Sequence, residues 1–393
     1  MRTVIVAFSL LITVMSLVID RVMPTVASAP CRLGLCRFDQ VFASIDAEGM
    51  NPANLSALVN EDPGNPMVWC AWGDELALHG DVAKAGNAYD HAMTLGPNMP
   101  AVLMRGVNFY MGHGQPRKAI PLSARVLSLT DAFDQIIFSY FGAARIPTPE
   151  LLAAAVPVGA DKGRAARSWL DWERANGSDQ DLIDTWRWMK RNRLLDHDSA
   201  VNTVWTLWSR KSFRSARDLW NDWLGPNNRL GPNGGDDPAS EELANREFQT
   251  EPAGGPFDWT LEAPGSGAVS RKDGLDVRFS GKENLAFSGI RQSAVVRPGH
   301  YRFTADMETA GITTDQGPFF HIFDPANPAG VHVESRLFTG TMPRSRISLD
   351  LSVPASTQAL IVQLERRPSG RLYDNKIEGN LHVYDVSLRP GVQ

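Results

Sequence analysis

From about residue 65 to residue 223 the apolar positions recur every three or four residues, and beyond about residue 245 they alternate with polar ones. The first spacing is that of a helix with one buried face, the second that of a strand with one buried face. Helical segments include "RAARSWLDWERANG", "DLIDTWRWMKR" and "AVNTVWTLWSRKSFRSARDLWNDWLG". The alternating runs are short: "GLDVRFS", "YRFTADMET", "PFFHIFD", "RISLDLSV", "ALIVQLERR" and "NLHVYDVSL", separated by turn residues, which predicts an antiparallel sandwich. Between the two patterns "GPNNRLGPNGGDDPAS", Gly225 to Ser240, is rich in Gly, Pro, Asn and Asp and has no period, so it predicts a linker. The predicted order is an N-terminal segment 1–29, a segment 30–64, a helical domain 65–224, a linker 225–244 and a β-sandwich 245–393.

The helical part repeats. Gly80 maps to Gly114, Ala85 to Ala119, Leu76 to Tyr110 and Leu95 to Leu129, each at an offset of 34 residues. With Trp69, Gly73, Gly80, Ala85, Tyr89, Ala92 and Pro97 in place, residues 65–99 resemble a tetratricopeptide repeat, which implies an α-helical hairpin solenoid that binds a protein partner on its surface. Gly73 and Ala85 are small where antiparallel helices would touch, Gly80 suits the turn between them, and Pro97 stops the second helix. In the second copy Val107 replaces the glycine and Pro121 falls early in the second helix, which predicts a kink or a late start there. Eight tryptophans lie between Asp131 and Trp223, at spacings that suit core packing between hairpins. The last hairpin, with Ala216 and Trp220, reads as a degenerate repeat.

The chain opens with Arg2, an uncharged run from Thr3 to Ile19, and Ala27-Ser28-Ala29 in the small-x-small pattern of a signal-peptidase site. The run is longer than a usual signal core of about 7–15 residues and shorter than the roughly 20 that span a bilayer. A cleaved export signal is favoured over an uncleaved anchor, with membrane contact only through this segment and a periplasmic or envelope location. Cys31 follows Pro30, where lipoprotein signals carry a small residue, which argues against lipidation. Cys31 and Cys36 are candidates for a disulfide in an oxidising compartment, and Cys70 is read as a buried small hydrophobe. With 39 basic against 44 acidic residues and no Lys/Arg block, the chain lacks the footprint of a nucleic-acid binder.

In the C-terminal part, "NREFQ", "FDWTL", "RQSAVVRPGHYRF" and "VYDVSLRP" together resemble a carbohydrate-binding module of the β-jelly-roll, galactose-binding-like type, over about residues 245–390. That resemblance implies polysaccharide as a ligand. It also implies a structural calcium, for which Asp385 stands at one expected acidic place while Gln249 occupies the other. No other metal or cofactor is predicted.

A sugar site needs an aromatic face under the C–H side of the ring and polar side chains for the hydroxyls. Trp259, Arg291, His321, Gln363 and Arg366 are the candidates. Alternation in "FFHIF" puts Phe319, His321 and Phe323 on one side and Phe320 with Ile322 on the other. No nucleophile elbow, P-loop, zinc-protease helix or dinucleotide fingerprint occurs, so no catalytic residues are assigned. "DHD", Asp196 to Asp198, lies just before a helical run, where Asp198 reads as the N-cap. The reading is a non-catalytic exported scaffold coupling a protein to an envelope polysaccharide, in exopolysaccharide assembly or secretion. The alternatives are a protein adaptor with a purely structural sandwich, and a glycan-processing enzyme using carboxylates among Asp306, Glu308, Asp324 and Glu334.

Overall fold

The computed structural model describes residues 52–158, 163–225, 242–327 and 329–391. Among them are eleven helices followed by ten strands, α first and β second, as the two periods predict. The export segment, Cys31, Cys36 and most of the linker lie outside the described residues. No helix among the described residues is long and apolar enough to cross a membrane. The chain divides into two compact units, with the boundary between Trp172 and Glu173.

The first unit holds α1 (Pro52–Glu61), α2 (Pro66–Leu78), α3 (Val82–Leu95), α4 (Pro100–Gly112), α5 (Pro116–Leu129), α6 (Asp134–Ala144), α7 (Thr148–Ala154) and the start of α8 (Arg164–Asn176). The 34-residue offset is visible bond by bond. Asp81 N–H donates to Leu76 O, and Gln115 N–H donates to Tyr110 O. Gly80 and Gly114 adopt φ of +80° and +67° in the turns between the paired helices, a region where a Cβ is costly. A Cβ on Gly73 would sit 2.9 Å from the Tyr89 ring, so the two helices approach as closely as their side chains permit, with Ala85 and Ala92 fully buried beside them. Contrary to one expectation, α5 starts at Pro116 and runs through an exposed Pro121, not after it. Cys70 is fully buried, and desolvation pushes its thiol pKa up to about 12, which makes it unreactive.

The second unit contains the rest of α8, α9 (Asp179–Arg191), α10 (His197–Ser209), α11 (Phe213–Leu224) and all ten strands. Asp196, not the predicted Asp198, caps α10 by accepting from Ser199 N–H, because the helix starts two residues earlier and Asp198 falls in its first turn. The α10–α11 hairpin repeats the geometry of α2–α3: Ser212 N–H donates to Leu207 O, and Lys211 takes the positive-φ place that Gly80 holds there. Its tryptophans meet the segment just ahead of β1. Trp205 Nε1 donates to Gly254 O at 2.9 Å, Trp208 meets Phe257 edge to face at 5.5 Å, and a Cβ on Gly255 would fall 2.7 Å from the buried Trp220 ring. Arg217 of α11 donates to Val295 O in β4.

The strands are β1 (Thr260–Leu261), β2 (Ala268–Arg271), β3 (Leu275–Ser280), β4 (Phe287–Val295), β5 (Gly299–Ile312), β6 (Phe319–Phe323), β7 (His332–Glu334), β8 (Gly340–Val353), β9 (Ala359–Arg366) and β10 (Glu378–Pro390). They form two five-stranded antiparallel sheets, ordered β1-β4-β9-β6-β7 and β2-β3-β10-β5-β8, which do not close into a barrel. Alternate residues such as Phe303, Ala305 and Met307 of β5 and Leu360, Val362 and Leu364 of β9 meet in one core between them. The outer face of the second sheet is a ladder of charges, with Arg302 on Asp350 and Arg344 on Asp306, the latter guanidinium also lying over the Tyr384 ring.

Candidate functional site

The five sugar-site candidates separate into two groups. Trp259 is only 3% exposed; its Nε1 donates to Ala244 O at 3.2 Å and its ring packs on Phe248. Arg366 is 1% exposed. Arg366 has no free donor for a ligand, and Trp259 borders a surface cavity of about 330 Å³ with Glu251, Pro252 and Arg271 only by the small part that remains exposed. By contrast Arg291, Gln363 and His321 stand in register across β4, β9 and β6, with Glu334 of β7 next in the row. Phe320 and Ile322 enter the core, so Phe319, His321 and Phe323 point outward, as the alternation predicts.

Three members of that row, Gln363, His321 and Glu334, are already bonded from within, while Arg291 is exposed. His321 Nδ1 lies 2.9 Å from Glu365 Oε2, its Nε2 lies 3.0 Å from His332 Nδ1, and Gln363 donates to Glu365 Oε2 at 3.3 Å. Arg367 donates to Glu334 Oε1 and lies over the Phe319 ring at 4.5 Å. The guanidinium holds the Glu334 carboxyl below its ordinary pKa. A sugar laid on Gln363, His321 and Glu334 would have to break bonds for those it made to them, which leaves little net gain there.

Arg366 instead clamps the loop 367–377 between β9 and β10. Its Nε donates to Gln316 O at 3.0 Å, Nη1 to Leu285 O, Nη2 to Asn375 O at 3.2 Å, and both Nη groups reach Asn284 Oδ1 at 3.3 Å. A fork of five N–H donors can tie several carbonyls at once, which is why arginine serves here. Burial lowers its pKa, but the group remains a cation. Asn284 also accepts from Ser369 N–H and donates to Ser369 O, each at 2.8 Å, and Ser369 Oγ donates to Asp315 Oδ1 at 2.6 Å. At the far end Thr313 Oγ1 donates to Lys376 O and accepts from Glu378 N–H.

The loop is thus tied at both ends and open at its tip, where Leu372 is 88% and Tyr373 84% exposed. Tyr373 lines a surface cavity of about 510 Å³ with Thr313, Thr314, Asp374, Asn375, Lys376 and Glu378. An exposed aromatic ring and charges of both signs converge there, beside Thr313, Thr314 and Asn375, whose side chains are bonded to backbone groups nearby. Thr314 and Asp374 hold φ of +72° and +54°, an unusual conformation for a β-branched residue in particular. Strain of this kind persists where surrounding bonds over-determine it and concentrates at binding loops. The sequence offers only a turn-rich "RPSGRLYDNK" here, and nothing in its period marks Tyr373 as exposed.

The other candidates are placed as follows. Asp385 Oδ1 accepts from Arg246 Nε at 3.0 Å and Nη2 at 2.6 Å, so a guanidinium stands where the suggested calcium would be, and the donor set does not fit that ion. Gln249 donates to Glu247 O. Of the carboxylates considered for catalysis, Asp306 is bonded to Arg344 and Glu308 to the Tyr384 hydroxyl on the outer face of the second sheet. Asp324 is buried and accepts from Ala326 N–H, Asn327 N–H and Thr357 Oγ1, a turn-building role. Glu334 lies in the other sheet.

No known protein family's profile matches the chain, and no curated protein matches it. Among solved structures, TmCBM61 in complex with β-1,4-galactotriose is similar at a TM-score of 0.28 and 11% identity, over 39% of this chain and all of that one. A CBM4 structure is similar at 0.28 and 14%, over 38% of this chain and 99% of that one. YrrB, a TPR protein with an unusual peptide-binding site, is similar at 0.25 and 12%, over 44% of this chain and 93% of that one.

Proposed function

We propose that this chain is a non-catalytic exported binding protein that couples a protein partner on its helical array to an envelope or extracellular polysaccharide on its sandwich, in exopolysaccharide assembly or secretion. The observation that carries the sugar part is the Tyr373 loop: an exposed ring at the rim of a polar cavity, on a loop pinned by a buried arginine. The exposed ring offers a face to the C–H side of a sugar, and the charged groups Asp374, Lys376 and Glu378 around the cavity can meet its hydroxyls. The non-catalytic part is supported by the engagement of Asp306, Glu308 and Asp324 in internal bonds and by the separation of Glu334 from Asp306 and Glu308, which stand on the other sheet. The protein part draws on the solenoid geometry of α2–α5, whose repeated hairpins form an extended surface.

Affinity electrophoresis of the purified protein in gels containing exopolysaccharide from its source cells tests the sugar reading. Retardation is expected, and Tyr373→Ala should weaken it about tenfold, near 1.4 kcal/mol, with the circular dichroism spectrum unchanged. A well-folded wild type that no envelope glycan retards would defeat the reading and leave the protein-adaptor function.

A further inference from the structure

The outward row of the first sheet ends in a group of side chains that the Tyr373 reading does not use: His321, His332 and Glu334, whose ligand atoms lie within 4.8 Å of one another. We propose that these three residues bind a divalent transition-metal ion, zinc by the chemistry of the donors, with Glu365 holding His321 in the ligating tautomer.

A carboxylate accepts and does not donate, so the 2.9 Å contact with Glu365 Oε2 places the His321 proton on Nδ1. The lone pair is then on Nε2, which faces His332 Nδ1 at 3.0 Å. On the other side of that second ring, His332 Nε2 lies 3.2 Å from Glu334 Oε1. A metal ion at this group would be ligated by His321 through Nε2, by His332 through one ring nitrogen and by Glu334 through a carboxylate oxygen.

The geometry is close to what such an ion needs. Two nitrogens bound to a tetrahedral zinc at about 2.1 Å stand roughly 3.4 Å apart, against 3.0 Å here. Arg367 and His332 Nε2 both meet Glu334 at Oε1, and the three candidate ligand atoms lie within 4.8 Å of one another, against at most about 4.2 Å across one zinc, so the carboxylate has to turn toward the ion as it binds. The carboxylate–histidine pair of Glu365 and His321 is the outer-shell arrangement that orients ligating imidazoles. Two imidazoles and one carboxylate suit zinc, and disfavour calcium and magnesium, which take oxygen ligands. Three protein ligands leave a fourth position open to solvent, and His332, the most exposed of them, provides the way in.

The test needs no glycan, so it stands or falls apart from the sugar reading. Protein carrying no histidine tag is stripped with chelator and titrated with ZnCl₂ by calorimetry and with CoCl₂ by visible absorbance. One equivalent of zinc should bind with Kd of about 1 µM or tighter, and cobalt should show the intense d–d bands of a tetrahedral site. His332→Ala, at an exposed position of an edge strand, should weaken zinc at least about 100-fold. Glu365→Gln should weaken it about 10–100-fold, as loss of an outer-shell partner does. Zinc binding weaker than about 1 mM, or binding by His332→Ala as tight as wild type, would overturn the proposal and leave the two rings sharing a proton.

Discussion

Arg366 shows how a single side chain can look like a ligand contact in the sequence and act as a structural clamp in the fold. Its position at the end of an alternating strand suggests a surface cation, yet it is buried and ties together the backbones at Leu285, Gln316 and Asn375. Arg366→Met should therefore cost about 3 kcal/mol or more, since each buried acceptor left unpaired costs about 1–3 kcal/mol; urea unfolding measures it. Lysine should not rescue it, because one ammonium cannot span the fork. Asp315 acts on the same loop. Hydrogen bonding from Ser369 lowers its pKa below the ordinary carboxylate value. A depressed folded pKa contributes stability above the unfolded value, near 4, and that contribution is lost as pH falls through the folded value. Loop 367–377 should accordingly become more accessible to proteolysis below about pH 4, and Asp315→Asn should show that accessibility already at neutral pH.

At the scale of elements, small residues decide how closely helices and loops approach. Ala85 is fully buried in the α2–α3 hairpin, so Ala85→Leu should overpack it and cost about 1–3 kcal/mol, seen by differential scanning calorimetry in the transition of the first unit alone. Gly255→Val meets the Trp220 ring instead and should lower the transition of the second unit. The hairpins were legible because their period, their turn glycines and their 34-residue offset are local properties, and the bonds of Asp81 and Gln115 repeat at that offset. The outward direction of His321 was legible for the same reason, since alternation along "FFHIF" is set by the strand itself. What the ring meets there was not. Its partners Glu365 and His332 lie 44 and 11 residues away, on strands whose register depends on the whole sheet.

For the whole molecule, the last helices and the sandwich belong to one compact unit, with Trp205, Trp208, Trp220 and Arg217 on the segment around Gly254–Phe257 and on β4. Their unfolding should be a single calorimetric transition, and two separate transitions for α9–α11 and the strands would contradict it. The sequence by itself determined the order of helix and strand, the repeat, the sandwich class and which residues share a face of a strand, because these follow from periodicity and from the conformational limits of glycine and proline over a few residues. Only the tertiary structure decided that Trp259 is core, that Arg366 is a clamp, that Tyr373 is open and that two histidines face each other. Exposure and pairing of that kind depend on which distant segments cover a residue, and burial acts between surfaces without regard to their separation in the chain.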